Sequence, residues 1–254
     1  MTSIVDTLVT VPALKDNYDF LFRAGNRVAC VDVADPAPVL AALADRGWTL
    51  TDILLTHHHW DHADGVPDLV AATGAKVWGN AADAERLPPL DHPVRAGDTI
   101  EIGGARATVW DVSGHTIGHV AFVFDGIVFT GDSLMAAGCG RLFEGSPERM
   151  FASLSQFANL PDATLIASGH EYTLSNLSFA ASLEPDSTAI KSRIVDTERL
   201  LAEGEPSVPS TLGTERHTNP FLRSHIDAVK AATGTIGQED VLTFAASRRA
   251  KDAF

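Results

Sequence analysis

Four histidines and an aspartate fall within six residues in the stretch TDILLTHHHWDHADG, residues 51–65. Imidazole nitrogen and carboxylate oxygen are metal donors. Crowded together without a cation, the rings would repel or be forced neutral. His57 and His59 stand two apart, so extended or turn backbone points them the same way and lets them share one centre. Asp61 and His62 lie just beyond and can serve a second. In that geometry His58 points away and Trp60 packs beneath.

Three more polar residues each follow an apolar run and a small residue: His115 after DVSG, Asp132 after VFTG and His170 after LIASG. Glycine at such a place lets backbone approach a shared centre. His57, His59 and His115 make a three-nitrogen set, and Asp61, His62 and His170 make a second. Asp132 has two oxygens and can bridge. Three protein ligands and a bridge leave a position for water, the catalytic rather than the closed structural pattern. Two divalent cations about 3.5–4 Å apart acidify a shared water, giving hydroxide at neutral pH. Sulfur-free His/Asp ligation suits zinc, with iron or manganese as alternatives. His58, His92, His119, His217 and His225 are expected to be hydrogen-bonded structural residues. Cys139 has no histidine paired with it and is expected to be a loop residue rather than a nucleophile.

The elements that must position these groups are short strands with few helices between them. LFRAGNRVACVDV reads as two strands around Gly25-Asn26, and DILLT as one strand ahead of the histidines. VAFVFDGIVFTGD reads as a hairpin with a type I′ turn at Asp125-Gly126. PAPVLAALADRG is a helix stopping at Gly47, and Ser146-Pro147 caps and opens another. After about residue 172 the pattern turns helical, with a break at Pro185 and a Pro/Ser/Gly linker in GEPSVPSTLG. These patterns predict a catalytic α/β part over 1–173 and a helical part over 174–254.

The 254 residues suffice for one large domain or one domain with an appendage. A formal net charge of −14 disfavours nucleic acid and anionic lipid as partners. No run is long and apolar enough to span a bilayer, and two cysteines give no disulfide framework. MTSIVDTLVT lacks a basic n-region and a long apolar h-region, so a secretory signal is not expected. A cytoplasmic monomer is expected. The one basic cluster is the terminal RRAKDAF; by itself such a cluster reads as a solvated helix end.

Thr56-His57-x-His59-x-Asp61-His62 resembles the signature of the metallo-β-lactamase superfamily. That resemblance implies a four-layer αββα sandwich with a dinuclear site at one sheet edge. THHHWDHADG, FTGDSLMAAGCGRLFEG, SGHEYTLSNLSFA, GEPSVPSTLG, NPFLR and RRAKDAF together are similar, in order, to the hydroxyacylglutathione hydrolases (the glyoxalase II family). The resemblance implies the same two ligand sets with Asp132 shared. It further implies that Arg141, Phe143, Tyr172, Arg248 and Lys251 grip the glutathione moiety, whose two carboxylates call for cations. Phe143 stands where that family usually has tyrosine, Arg141 where lysine is common, and Asp64 where glycine is usual.

The implied reaction is hydrolysis of a glutathione thioester, S-D-lactoylglutathione, to glutathione and D-lactate. A hydroxide held between the metals attacks the carbonyl, and the His57/His59/His115 metal stabilises the oxyanion. Asp61 and Asp132 act as ligands and orienters, and the thiolate leaves without a strong general acid. Persulfide dioxygenases share the fold but use one iron; the intact Asp61/His62/His170 set and the helical tail favour hydrolysis. A β-lactam or lactone substrate would not need that tail, and a non-catalytic scaffold would not need all seven ligands.

Overall fold

The strands β1 (Val9–Ala13), β2 (Asn17–Ala24) and β3 (Arg27–Val31) run antiparallel because only short turns part them. Gly25 takes φ of 56° at the tighter turn, a conformation glycine adopts without strain. Pairing becomes parallel where helices carry the chain back. The helix α1 (Pro36–Arg46) leads to β4 (Asp52–Leu54); α2 (Trp60–Ala63) and α3 (Val66–Thr73) lead to β5 (Lys76–Asn80), and β6 (His92–Val94) completes the order β1-β2-β3-β4-β5-β6. As expected, α1 stops at Gly47, which is left-handed; at its start the Asp35 side chain accepts the Ala37 N–H. Val39 and Leu43 of α1 and Leu69 of α3 bury against Leu21, Cys30, Ile53 and Val77 of the sheet.

A second sheet runs antiparallel through β7 (Thr99–Ile102), β8 (Ala105–Asp111), β9 (Val120–Phe124) and β10 (Ile127–Gly131). The hairpin at Asp125-Gly126 forms, but only Gly126 has positive φ (80°), so the turn is not type I′. Aromatic rings join the two sheets: Phe22 of β2 stacks on Phe129 at 5.6 Å and meets Phe124 edge-on at 5.2 Å. Phe22 and Phe129 are fully buried. Losing either ring would cost about 3–5 kcal/mol.

This computed structural model describes residues 3–254 and divides into two compact units. The first holds the elements above, through 112 and again over 118–131 and 167–170. The second holds 113–117, 132–166 and 171–254. In it, β11 (Leu134–Met135) and β12 (Gly138–Cys139) pair as a small hairpin, and α4 (Pro147–Ser155) opens as expected, with the Ser146 side chain accepting the Arg149 N–H. The strand β13 (Leu165–Ser168) pairs through 165–166 with β14 (Ser210–Thr211). Helices follow: α5 (Thr173–Leu183), α6 (Thr188–Ala202), α7 (Leu212–Thr218), α8 (Asp227–Ala232) and α9 (Asp240–Asp252). Leu177 and Ala180 of α5 pack on Ile190 of α6 and on Ala137. GEPSVPSTLG differs from a loose linker: Ser207 Oγ donates to the Glu171 carboxylate at 2.7 Å, and Ser210–Thr211 are β14. Proline and serine there exclude helix without excluding order. Among the described residues, no helix is long and apolar enough to cross a membrane.

Candidate metal centre

In the first unit the chain leaves β4 and passes through the buried Leu55, Thr56 and His57 before α2 opens at Trp60. His57 and His59 lie on non-helical backbone, with His57 Nε2 3.2 Å from His59 Nδ1. Asp61 and His62 sit on the single turn of α2. His170 arrives from β13 through Gly169, whose N–H donates to the Gly131 carbonyl at 3.0 Å. His62 Nε2 and His170 Nε2 are 3.3 Å apart, and Asp61 Oδ2 is 3.4 Å from His170 Nε2. The donor atoms of Asp61, His62 and His170 all lie within 4.8 Å of one another.

The proton positions follow from the partners. Asp32 Oδ2 lies 2.9 Å from His62 Nδ1, and Asp16 Oδ1 lies 2.9 Å from His170 Nδ1. With a carboxylate oxygen as acceptor each Nδ1 is the donor, which leaves Nε2 of each ring as the nitrogen turned inward to ligate. Two lone pairs and a carboxylate oxygen thus converge on one point, with the Asn17 amide donating to Asp61 Oδ2 at 3.2 Å. Such a donor set fits a divalent cation, and ligand histidines are commonly backed in this way. Behind Asp32, burial pushes the Asp19 carboxyl well above its ordinary range; the Ala34 N–H pulls it down and the Asp32 charge adds to the rise.

In the second unit His115 repeats the pattern. Its Nδ1 donates to the Arg141 carbonyl at 2.7 Å, and its Nε2 is 3.5 Å from Asp132 Oδ2. Gly140 makes this possible: a Cβ there would fall 2.0 Å from the Asp132 carbonyl and 2.8 Å from His115 Nδ1. The Phe143 and Glu144 N–H groups hold the His115 carbonyl, and the exposed Phe143 ring meets the His115 ring edge-on at 5.3 Å. Arg141 lies over Phe143, with its Nε 3.7 Å from Asp252. Tyr172 is exposed just ahead of α5.

Arg248 and Lys251 lie on α9 and differ in setting. Arg248 is buried: it donates to the Cys139 carbonyl at 2.8 Å and to Asp252 at 2.9 Å, over the Phe221 ring. Lys251 Nζ donates to the Ser175 carbonyl at 3.0 Å, near the Phe179 and Phe254 rings. Burial, then the Arg248 charge, lowers the Lys251 pKa.

Trp60 does not pack beneath the motif: it is 64 % exposed, because α2 turns its first side chain outward. His58 bonds Asp83 at 3.1 Å, His119 stacks on His57, His92 stacks on Trp78, and His217 donates to the Gly213 carbonyl. Asp16, Asp32 and Thr56 escaped the sequence analysis as site residues. Asp32 carried a signal, since VACVD is an apolar run closed by a polar residue, as at Asp132. Burial pushes the Cys139 thiol from 9.0 up to about 11, although Arg248 pulls it back. Both cysteines are buried. Neither should react with a thiol reagent at pH 8 until the chain is denatured, when both should; fast native labelling of Cys139 would reopen it as a nucleophile. A thiol with a raised folded pKa binds its proton more tightly in the native state. Its contribution to stability is therefore present below pH 9 and lost as the pH rises through about 11.

Comparison with known proteins accords with this geometry. The metallo-β-lactamase superfamily model matches residues 5–170, and a hydroxyacylglutathione hydrolase C-terminus model matches 171–254. A hydroxyacylglutathione hydrolase of Jannaschia sp. (strain CCS1) is 56 % identical, over 97 % of this chain and 98 % of its own length. Among solved structures, ETHE1 from Myxococcus xanthus is 23 % identical with a TM-score of 0.65, over 97 % of this chain and 98 % of its own. TTHA1623 in a di-iron-bound form is 27 % identical with a TM-score of 0.62, over 85 % of this chain and 99 % of its own. The α/β sandwich expected from the sequence is the fold these neighbours share. Two family models that together run from residue 5 to the last residue, and a relative alike along nearly the whole chain, place it among the hydroxyacylglutathione hydrolases of the metallo-β-lactamase superfamily.

Proposed function

We propose that the chain hydrolyses S-D-lactoylglutathione to glutathione and D-lactate at a centre of two divalent cations. The observation that carries this is the convergence of the His62 and His170 Nε2 atoms with Asp61, each ring's Nδ1–H donating to a carboxylate on the far side. The names of the full-length relatives support the thioester as substrate. In this reading Asp61, His62 and His170 hold one cation, His57, His59 and His115 hold the other, and Asp132 is shared. Bound there, the cations supply hydroxide at neutral pH and a Lewis acid for the thioester carbonyl. Asp61 and Asp132 orient the attacking oxygen. The glutathione thiolate is a good leaving group and needs no acid from the chain.

Arg141, Phe143, Tyr172, Arg248 and Lys251 grip the glutathione moiety, the cations meeting its carboxylates. Zinc is the proposed metal, although a sulfur-free His/Asp donor set suits iron and manganese as well; the di-iron form of TTHA1623 keeps iron in view. A catalytic part over 1–173, a helical part over 174–254, a monomeric state and a cytoplasmic location complete the proposal. The charge of −14 speaks against nucleic acid and anionic membrane as partners.

Purified protein assayed with S-D-lactoylglutathione beside elemental analysis tests the proposal. Loss of thioester with D-lactate formed and two metal equivalents per chain is expected. One iron per chain with oxygen uptake on a glutathione persulfide would overturn it. Lys251→Ala should raise KM about tenfold, the equivalent of about 1.4 kcal/mol, and leave kcat and metal content unchanged. An unaltered KM would remove Lys251 from the substrate site.

A further inference from the structure

Asp32 closes β3 and sits at φ 56°, a conformation that ordinary side chains avoid. It is buried, and three hydrogen-bond donors converge on it. Its Oδ1 accepts the Thr56 N–H at 2.8 Å. Its Oδ2 accepts the Thr56 hydroxyl at 2.8 Å and His62 Nδ1–H at 2.9 Å. Because the Thr56 hydroxyl spends its one hydrogen on Asp32, its oxygen is left to accept from His57 Nδ1, 3.0 Å away. Asp32 therefore sets the ring proton of His62 directly and that of His57 through Thr56. His57 and His62 belong to different ligand sets. Asp16, in contrast, backs His170 and its set alone.

We propose that Asp32 is a positioning residue common to both cation sites, holding His62 for one and, through Thr56, His57 for the other, while Asp16 serves a single site. This rests on the dinuclear reading above. The carboxylate keeps each ring in the tautomer whose Nε2 can ligate and makes that nitrogen a better donor. The left-handed backbone at Asp32 turns one carboxylate toward both the strand-end Thr56 and the helix-borne His62, which explains why a strained conformation is kept there.

The pattern across three substitutions tests it, read as Zn²⁺ affinity of metal-free protein titrated against a chromophoric chelator. Wild type should take two equivalents. Asp16→Asn should weaken one equivalent about 10- to 100-fold and spare the other. Thr56→Val should weaken the equivalent that Asp16→Asn spares, by about tenfold. Asp32→Asn should weaken both; asparagine tolerates the left-handed backbone, so the fold of the metal-free protein is expected to survive. If Asp32→Asn does not fold, the other two variants decide: opposite equivalents support the relay, and the same equivalent overturns it. Asp32→Asn that spares both equivalents, or weakens only the one lost in Asp16→Asn, also overturns it. A wild type that fails to take two equivalents sinks the dinuclear reading and this inference with it.

Discussion

Replacing Asp132 by alanine should strip metal and thioesterase activity together. The expected fall in kcat/KM is at least about 10³-fold, the upper end of what losing one oxyanion-stabilising donor costs. The residue follows Gly131, which takes φ of 47° and lies so near Thr56 that a Cβ would come within 2.4 Å of its hydroxyl. That turn delivers a buried carboxylate, with one oxygen 3.5 Å from His115 Nε2. Asp132→Asn is the informative companion: it keeps the shape, removes the charge and should lose metal nearly as fully. Metal analysis beside steady-state kinetics reads both effects. Two full metal equivalents in Asp132→Ala would show that the carboxylate does not bridge.

A large expected loss of stability lies elsewhere, at Glu215. This side chain is fully buried and gathers the Arg193 guanidinium, the Ser210 hydroxyl, the Ala137 N–H at 2.7 Å and the Asn219 amide at 3.1 Å. It thereby ties α6, α7 and β14 to the turn between β11 and β12. Arg193→Met fills similar space but leaves a buried carboxylate without its cation, and should cost about 3–5 kcal/mol. Urea unfolding followed by circular dichroism measures the loss. Adding Glu215→Leu to Arg193→Met should recover part of it, since a buried ion pair is worth little against apolar packing once both charges are gone. A single variant as stable as wild type would mean that Glu215 is content without Arg193.

Several elements were legible because their signals are local. Gly47 ends a helix and Ser146-Pro147 begins one, since capping depends on groups within a turn of the end. The strand-end placement of His57, His170 and Asp132 follows from apolar runs closed by small and polar residues. The turn at Asp125-Gly126 is a two-residue hairpin turn as the dipeptide suggests, but a type I′ turn needs positive φ at both residues and only Gly126 has it. The exposure of Trp60 was missed because a single helical turn reverses the side that extended backbone would present.

The residue types and spacings by themselves supplied the donor inventory, read as two groups of three with a carboxylate over, and the superfamily that the His57-to-His62 motif marks; the narrower family was legible only in the longer run of motifs that ends in the basic tail. Tertiary structure alone decided which nitrogen of His62 and His170 keeps its hydrogen, since the carboxylates that accept the hydrogen bond are 30 and 154 residues away in the chain. It also decided that Arg248 is buried against the Cys139 carbonyl, a partner 109 residues distant. A ligand's identity is a property of its own side chain and can be read in place. Its protonation and aim are set by groups that meet it only after the chain has closed on itself.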